Sequence, residues 1–406
     1  MHRKRQRLFF YSFNPYLCSR LKNANMKPIH MVDLKQQYLK IKEEVDAAIA
    51  GVLDSTAFIG GPQVNDFSKS LANYLGVKHV IPCANGTDAL QIAMMALELQ
   101  PGDEIITPSF TYVATTEVIA LLRLKPVFVE VNPQTFCVDL EVIRKAITPK
   151  TKAIVPVHLY GHAAEMEEIM AIAKEHNLFV IEDNAQAIGS DYHFKDGTKQ
   201  KTGSIGTIGC ISFFPSKNLG CYGDGGAICT NDDDLAIKLK MIANHGQSKR
   251  YYHDIVGCNS RLDALQAAIL NIKLPLLDSY IDARIKAADF YDKAFAGNKK
   301  ITTPFRAEYC KHVFHQYTII LEDGENSENF RDGLVAFLAE NNIPSMIYYP
   351  VPAHKQKMFA AFGGGDYDLE KTDWLTHRVI SLPIHTELDE EQQNYIAKKV
   401  LDYVNK

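Results

Sequence analysis

From residue 79 onward, short apolar runs alternate with stretches in which apolar positions recur every three or four residues. The runs fall at 79–82, 104–107, 126–131, 153–159 and 178–181, and the helical patterns at 88–99, 116–124, 140–147 and 165–177. Short apolar runs bounded by turn residues read as buried strands, and the longer periodic stretches as amphipathic helices. A strand and a helix in alternation, about 25 residues per repeat, predict a doubly wound, mainly parallel sheet. Two further runs, 208–214 and 227–230, flank a loop that carries a lysine. Beyond Arg261 a helical pattern from 262 to 296, broken at Pro275, leads away from the sheet. The remainder has strand runs of its own at 316–321 and 345–349 and reads as a smaller second domain. The expected division is therefore a large domain over 26–275 and a small one over 276–406.

Length agrees, since 406 residues exceed what a single core usually supports. With 46% hydrophobic and 23% charged residues the composition is ordinary for a globular protein. A net charge of −4 leaves no electrostatic footprint for nucleic acid. No window approaches the roughly 20 apolar residues of a membrane span. Residues 1–25 stand apart, with six Lys or Arg, no acid, and a short apolar patch at 8–13 that meets Asn14 and Pro15. A signal peptide needs a longer apolar region ending in small residues. The segment reads as a disordered basic leader or an extended start upstream of Met26. Eight cysteines are scattered without Cys-x-x-Cys spacing. They read as thiols in a reducing cytoplasm, with no metal site and no disulfide framework.

Lys217 is the residue with the most chemistry around it. It follows an apolar run and lies in the small-residue turn Pro215-Ser-Lys-Asn-Leu-Gly220, where partial desolvation favours a neutral amine able to form a Schiff base. Alone it could equally be an ordinary loop lysine. Asp183 follows the run 178–181 by two residues, at the sheet edge where ligands of open α/β folds sit. There it could pair with a protonated pyridine nitrogen or simply cap the next turn. Asn85-Gly-Thr87 lies between a strand and a helix start, the arrangement that seats a phosphate, although Asn-Gly is also a plain turn. Together the three call for a phosphorylated aromatic aldehyde bound to lysine, which is pyridoxal 5′-phosphate.

These motifs resemble the DegT/DnrJ/EryC1/StrS family of sugar aminotransferases over about residues 28–401. The resemblance is carried by Phe58-Ile-Gly-Gly-Pro62, Asn85-Gly-Thr-Asp-Ala-Leu90, Pro108-Ser-Phe-Thr-Tyr-Val-Ala-Thr115, Glu182-Asp-Asn-Ala-Gln186, Ser212-Phe-Phe-Pro-Ser-Lys217, Gly223-Asp-Gly-Gly226 and Asn259-Ser-Arg-Leu-Asp-Ala-Leu-Gln266. It implies the α/β architecture of fold type I pyridoxal-phosphate enzymes, like aspartate aminotransferase, with a large domain and a smaller C-terminal α/β domain. It further implies that Tyr112 stacks on the cofactor ring and Gln186 meets the phenolic oxygen. Ser212, Gly86 and Thr87 would hold the phosphate, with Gly86 required because a Cβ would block close approach. Asn259 would reach the phosphate of a neighbouring subunit, so that a homodimer shares its active sites. Arg261 could meet a substrate carboxylate or form an intrachain salt bridge.

The implied reaction is transfer of an amino group from L-glutamate to a nucleotide-linked keto sugar. Residues 31–38 and 52–62, with Tyr348-Tyr-Pro-Val-Pro352, look most like the branch that aminates carbon 3 of UDP-2-acetamido-2-deoxy-3-oxo-glucuronate for lipopolysaccharide O-antigen sugars. That branch often has histidine where this chain has Tyr348, a departure that changes the hydrogen-bonding group at this position. Tyr349 keeps its position, and His315 is either a further substrate contact or a packed domain-boundary histidine. The alternative substrates are dTDP-linked 3-oxo or 4-oxo deoxyhexoses. A catalytically silent regulatory protein on the same fold is the rival class, and intact Lys217, Asp183 and Gln186 count against it. The family's sugar dehydratases carry histidine at the lysine position. A nicotinamide enzyme would need a Gly-x-Gly-x-x-Gly after its first strand, which is absent.

Overall fold

A computed structural model describes residues 27–324 and 326–406; the leader assigned to residues 1–25 lies outside them. Seven strands form the main sheet: β1 (His79–Cys83), β2 (Glu104–Pro108), β3 (Lys125–Val129), β4 (Thr151–Ile154), β5 (Phe179–Asp183), β6 (Ile208–Ser212) and β7 (Gly226–Thr230). Their spatial order is β1-β7-β6-β5-β4-β2-β3. All run parallel except β7, which is antiparallel to both its neighbours. The exception follows from connectivity. A loop without a crossover helix joins β6 to β7, and only an antiparallel return is open to such a link. Lys217 stands on that loop.

Five helices matter for the site: α1 (Lys42–Ser55), α2 (Pro62–Leu75), α3 (Gly86–Ala96), α4 (Ala114–Leu121) and, later in the chain, α5 (Ala264–Lys273). Helix α3 packs across the sheet through Ala89, Leu90, Ile92, Ala93 and Met94, all buried in one cluster with Cys83, Ile181 and Cys210. Helix α5 meets α1 through Val52, Ala264 and Ala268. A turn of 3-10 helix at Leu274–Leu276 separates α5 from α6 (Leu277–Phe295), as Pro275 requires.

A second sheet is antiparallel, in the order β8 (Ile301–Thr302), β9 (Tyr317–Leu321), β10 (Val379–Leu382). With helices α7 (Ser327–Glu340) and α8 (Glu390–Val404) it surrounds a separate core that includes Tyr317, Ile319, Leu334, Ile380 and Ile396. Helix α6 joins the two cores, with Leu277 and Ile281 in one and Tyr291 and Phe295 in the other. The division proposed at 275/276 falls at the start of this helix.

Two predicted strands are corrected. Residues 345–349 form no strand, and their backbone pairs with the sheet at a single bridge, Met346 to Ser381. Pro344, Pro350 and Pro352 bracket the segment and cannot donate to a ladder. The run 153–159 stops being strand at Ile154, because Pro156 has no N–H, and the chain turns through a 3-10 segment at Leu159–Gly161. The helices at 42–55, 62–75 and 327–340 were not located from sequence.

Candidate active site

The carboxyl ends of the parallel strands open into one cavity of about 750 Å³. It is lined by Gly86, Thr87, Tyr112, Asp183, Gln186, Ser212, Lys217, His315, Tyr348 and Tyr349, ten of the twelve residues singled out from sequence.

At one end stands the N-terminus of α3. Asn85 caps it, its Oδ1 accepting from Asp88 N at 2.8 Å. Gly86 and Thr87 occupy the first two helical positions, where backbone N–H groups have no intrahelical acceptor. The Thr87 backbone, the Ser212 hydroxyl and the helix dipole thus present an anion seat. The reason for glycine at 86 is sharper than expected. An added Cβ would lie 2.7 Å from Ser212 Cβ, so the turn is pressed against the end of β6 itself. Gly226 plays the matching part on β7, where a Cβ would come within 2.4 Å of the Asn85 carbonyl. That second glycine was quoted in a motif without a role.

Asp183 ends β5 and is buried. The capping reading is seen directly, and the second carboxylate oxygen borders the cavity. Oδ1 accepts from Ala185 N at 3.1 Å, capping the turn, and Oδ2 accepts from Thr115 Oγ1 at 2.7 Å beside the cavity. Thr115 carries one hydroxyl proton, and its contact with the Tyr112 carbonyl is longer, at 3.2 Å. The proton therefore goes to the carboxylate, while Thr111 can donate to Thr115 at 3.1 Å. Thr115 was missed in sequence, since nothing local connects it to a residue 68 positions away. Behind Asp183, the wholly buried Glu182 accepts from Gly203, Ile205 and Gly206 N–H and from His158 Nε2. His158 Nδ1 accepts from Ala164 N, which fixes its tautomer. This network ties the end of β5 to the loop before β6.

Lys217 shares the cavity with Asp183. Burial pushes its amine down to about 8, against the opposing pull of the Asp183 charge. An amine near that value is a nucleophile and a proton carrier at ordinary pH. Asn218 anchors the tip of the loop, donating to the Val313 carbonyl at 2.9 Å.

Gln186 is oriented unambiguously. Its Oε1 accepts from Tyr160 N at 2.8 Å, so the amide NH₂ faces the cavity and donates to Tyr349 Oη at 3.1 Å, with a second hydrogen free. Tyr112 is 56% exposed, an open aromatic face 6.2 Å from the Tyr349 ring. Tyr160 donates to the Tyr348 carbonyl, tying the 348–349 segment to the large-sheet side. His315 is buried, and its Nδ1 has no partner among the described residues. Burial, with the Lys217 and Arg284 charges, holds it far below the usual histidine range. A neutral imidazole with an unused ring nitrogen is consistent with a ligand contact.

Asn259 and Arg261 are not brought to this cavity. Both are exposed, and Arg261 donates to Asn244 Oδ1 at 3.4 Å. Among the described residues no carboxylate lies within 4 Å of Arg261, so the intrachain salt bridge is not formed. Exposed apolar residues adjoin this stretch: Phe58 and Ile59, whose backbone meets Ala264 and Asp263, and Val256 just before it in the chain.

The residues present fit pyridoxal phosphate. Free helix N–H groups and hydroxyls suit its phosphate, an oriented carboxylate its ring nitrogen, a free amide hydrogen its phenolic oxygen, and a desolvated amine its aldehyde.

Comparison with known proteins agrees. The model of the DegT/DnrJ/EryC1/StrS aminotransferase family matches residues 39–401. The UDP-2-acetamido-2-deoxy-3-oxo-D-glucuronate aminotransferase of Pseudomonas aeruginosa is 46% identical over 361 residues, 89% of this chain and 96% of its own. The UDP-N-acetyl-3-dehydro-alpha-D-glucosamine 3-aminotransferase of Acidithiobacillus ferrooxidans is 45% identical over 91% of this chain and 96% of its own. A protein of Geobacillus stearothermophilus named pleiotropic regulatory protein is 45% identical over 92% of this chain and 98% of its own. Among solved structures, S. venezuelae DesV superposes with a TM-score of 0.87 at 37% identity, covering 94% of this chain and 100% of that one.

Proposed function

This chain belongs to the DegT/DnrJ/EryC1/StrS aminotransferase family and is a pyridoxal-phosphate-dependent transaminase; on that premise we propose that it moves the amino group of L-glutamate to carbon 3 of a nucleotide-linked 3-oxo sugar. UDP-2-acetamido-2-deoxy-3-oxo-glucuronate is the preferred substrate, and the product serves lipopolysaccharide O-antigen synthesis. The observation that carries this reading is the single cavity in which Lys217, Asp183 and the α3 N-terminus face His315, Tyr348 and Tyr349. The two relatives named for UDP-linked 3-oxo sugars support the substrate class.

Bound pyridoxal phosphate supplies an electron sink for the carbon that loses its proton. The protein's own groups do the rest. Gly86 N–H, Thr87 and Ser212 hold the phosphate, and Tyr112 covers the ring. Asp183, held by Thr115 and Ala185, keeps the ring nitrogen protonated. Gln186 gives its second amide hydrogen to the phenolic oxygen. Lys217 Nζ would carry the proton that the donor's α-carbon loses and, in the second half-reaction, return one to carbon 3 of the sugar. His315, Tyr348 and Tyr349 contact the sugar.

The working unit in this proposal is a homodimer. Asn259 and Arg261 lie outside their own cavity beside exposed apolar residues, and they serve the partner's site, Asn259 at the phosphate and Arg261 at the uronate carboxylate. The enzyme works in the cytoplasm. Its seven described cysteines are free thiols, and no helix among the described residues is long and apolar enough to cross a membrane.

The test is a substrate panel with glutamate as donor. UDP-linked 3-oxo-uronate is expected to give the highest kcat/KM, ahead of a neutral UDP-linked 3-oxo sugar and of dTDP-linked 3-oxo and 4-oxo deoxysugars. A faster dTDP sugar refutes the uronate assignment, and a purified protein that stays colourless with added cofactor refutes the enzyme.

A further inference from the structure

The loop that carries Lys217 is closed on itself. Phe213 N donates to the Gly225 carbonyl at 2.7 Å, and Cys221 N to the Phe213 carbonyl at 2.8 Å. Within it Gly220 is pressed so tightly on Pro215 that a Cβ would lie 2.3 Å from the Pro215 carbonyl oxygen. Such a closed turn still needs something outside it to fix where its tip points.

Helix α5 provides that support through two side chains the proposed reaction leaves unused. Lys273, in its last turn, donates from Nζ to the Gly220 carbonyl at 2.5 Å. Gln266 accepts from Tyr222 N at 2.8 Å and donates back to the Tyr222 carbonyl at 3.4 Å, holding the two peptide groups that flank that residue. Gly223 has no side chain where a Cβ would approach Gln266 Nε2 to 2.9 Å. Lys273 is only 1% exposed, and among the described residues it has no carboxylate within 4 Å. Its compensation is the Gly220 carbonyl and the Tyr222 ring, whose centroid lies 5.3 Å from Nζ. A buried cation without a counter-ion is expensive, and an apolar side chain would fill the same space more cheaply. That expense is explicable if the hydrogen bond to the loop matters to function.

We infer that Lys273 and Gln266 are positioning residues, which brace the loop between Lys217 and β7 and so hold the Lys217 amine in the cavity. The inference rests on Lys217 being the proton-moving amine of the proposed reaction. Misplacement of a reacting group by about 1 Å can cost on the order of 100-fold in rate. Burial is the main influence lowering the Lys217 pKa and outweighs the opposing Asp183 charge. A loosened loop therefore lets water in and moves the amine back toward its ordinary value.

Competitive acetylation of the cofactor-stripped full chain, read at Lys217 by mass spectrometry across pH, tests this without relying on turnover. In wild type the labelling midpoint is expected near 8. In Lys273→Met, which keeps the stem and loses the donor, the midpoint should rise by about 1 to 2 pH units. After reloading, kcat should fall about 100-fold with KM for glutamate changed less than about 3-fold. Lys273→Gln, which restores a donor, should recover about 10-fold of that loss. A Lys273→Met protein with a lower melting temperature but wild-type midpoint and kcat would reduce the brace to a structural role and overturn the inference. Should that variant not fold, Gln266→Leu must show the same upward midpoint, and a wild-type midpoint there overturns it. A wild-type midpoint near that of surface lysines, or normal turnover by Lys217→Ala, would instead sink the role of Lys217 itself.

Discussion

At one end of the cavity every group stands at, or within a turn or two of, the carboxyl edge of the main sheet: Gly86 after β1, Tyr112 after β2, Asp183 and Gln186 at and after β5, Ser212 at the end of β6. At the other end His315, Tyr348 and Tyr349 come from connecting segments of the second unit and are secured mainly by side-chain contacts, such as Tyr160 to the Tyr348 carbonyl, Gln186 to Tyr349 and Arg284 to the His315 carbonyl. Ladder hydrogen bonds fix the first end to the backbone, while the second depends on how loops are laid against it. Reactions need tightly held geometry and substrate choice needs variation, so on the proposed function chemistry belongs to the first end and specificity to the second.

The comparison breaks first at Lys217. Lys217→Ala should lose about 10⁴-fold in transamination while melting within a few degrees of wild type. Stopped-flow absorbance on mixing with glutamate measures it, and residual turnover above about a hundredth of wild type would deny the sheet-edge end its central group. Asp183→Asn keeps the shape and the turn but removes the charge; about 10³-fold loss is expected in both half-reactions alike. An unequal loss would mean that Asp183 acts on one substrate instead of on the cofactor.

At the loop-built end effects should be smaller and should depend on the sugar. Arg261→Ala is expected to raise KM for the uronate about 10- to 100-fold, the worth of a hydrogen-bonded charge pair, and to leave KM for a neutral 3-oxo sugar within about 2-fold. If the proposed homodimer shares its sites, mixing Arg261→Ala with Lys217→Ala should regenerate activity in heterodimers, in which one of the two sites combines the intact Lys217 of one subunit with the intact Arg261 of the other. Absence of complementation would place Arg261 in its own subunit's site.

The same contrast governs what could be read from sequence. Asp183 and Lys217 sit in short stretches where strand end, turn and candidate residue are neighbours in the chain, so local pattern singled them out, whereas Gln186 and Ser212 were marked by the family resemblance. The apolar run at 345–349 looked like a strand, but flanking prolines leave it as a loop that lines the cavity through Tyr348 and Tyr349. Contacts across long sequence separations left no trace in the pattern. Thr115 reaches Asp183 from 68 residues away, and Lys273 reaches Gly220 from 53. Asn259 and Arg261 were marked by motif, yet their exposure outside the cavity emerges only once the chain is folded.

The smallest expected effect sharpens the comparison most finely, because it probes support for a catalytic-end residue without touching its charge. Thr115→Val is nearly isosteric and removes one hydroxyl proton from Asp183 Oδ2 at 2.7 Å, leaving the Ala185 N–H on Oδ1. A hydrogen bond to a charged group contributes about 1.5 to 3 kcal/mol, but the carboxylate retains one donor and its place at the end of β5. The loss in kcat should therefore be about 10-fold, far below that of Asp183→Asn, and equal for uronate and neutral sugars. Equal loss marks Thr115 as support for the cofactor end. A loss confined to one sugar would show that the two ends are mechanically joined through α4, and the separation of chemistry from specificity would fail at this residue.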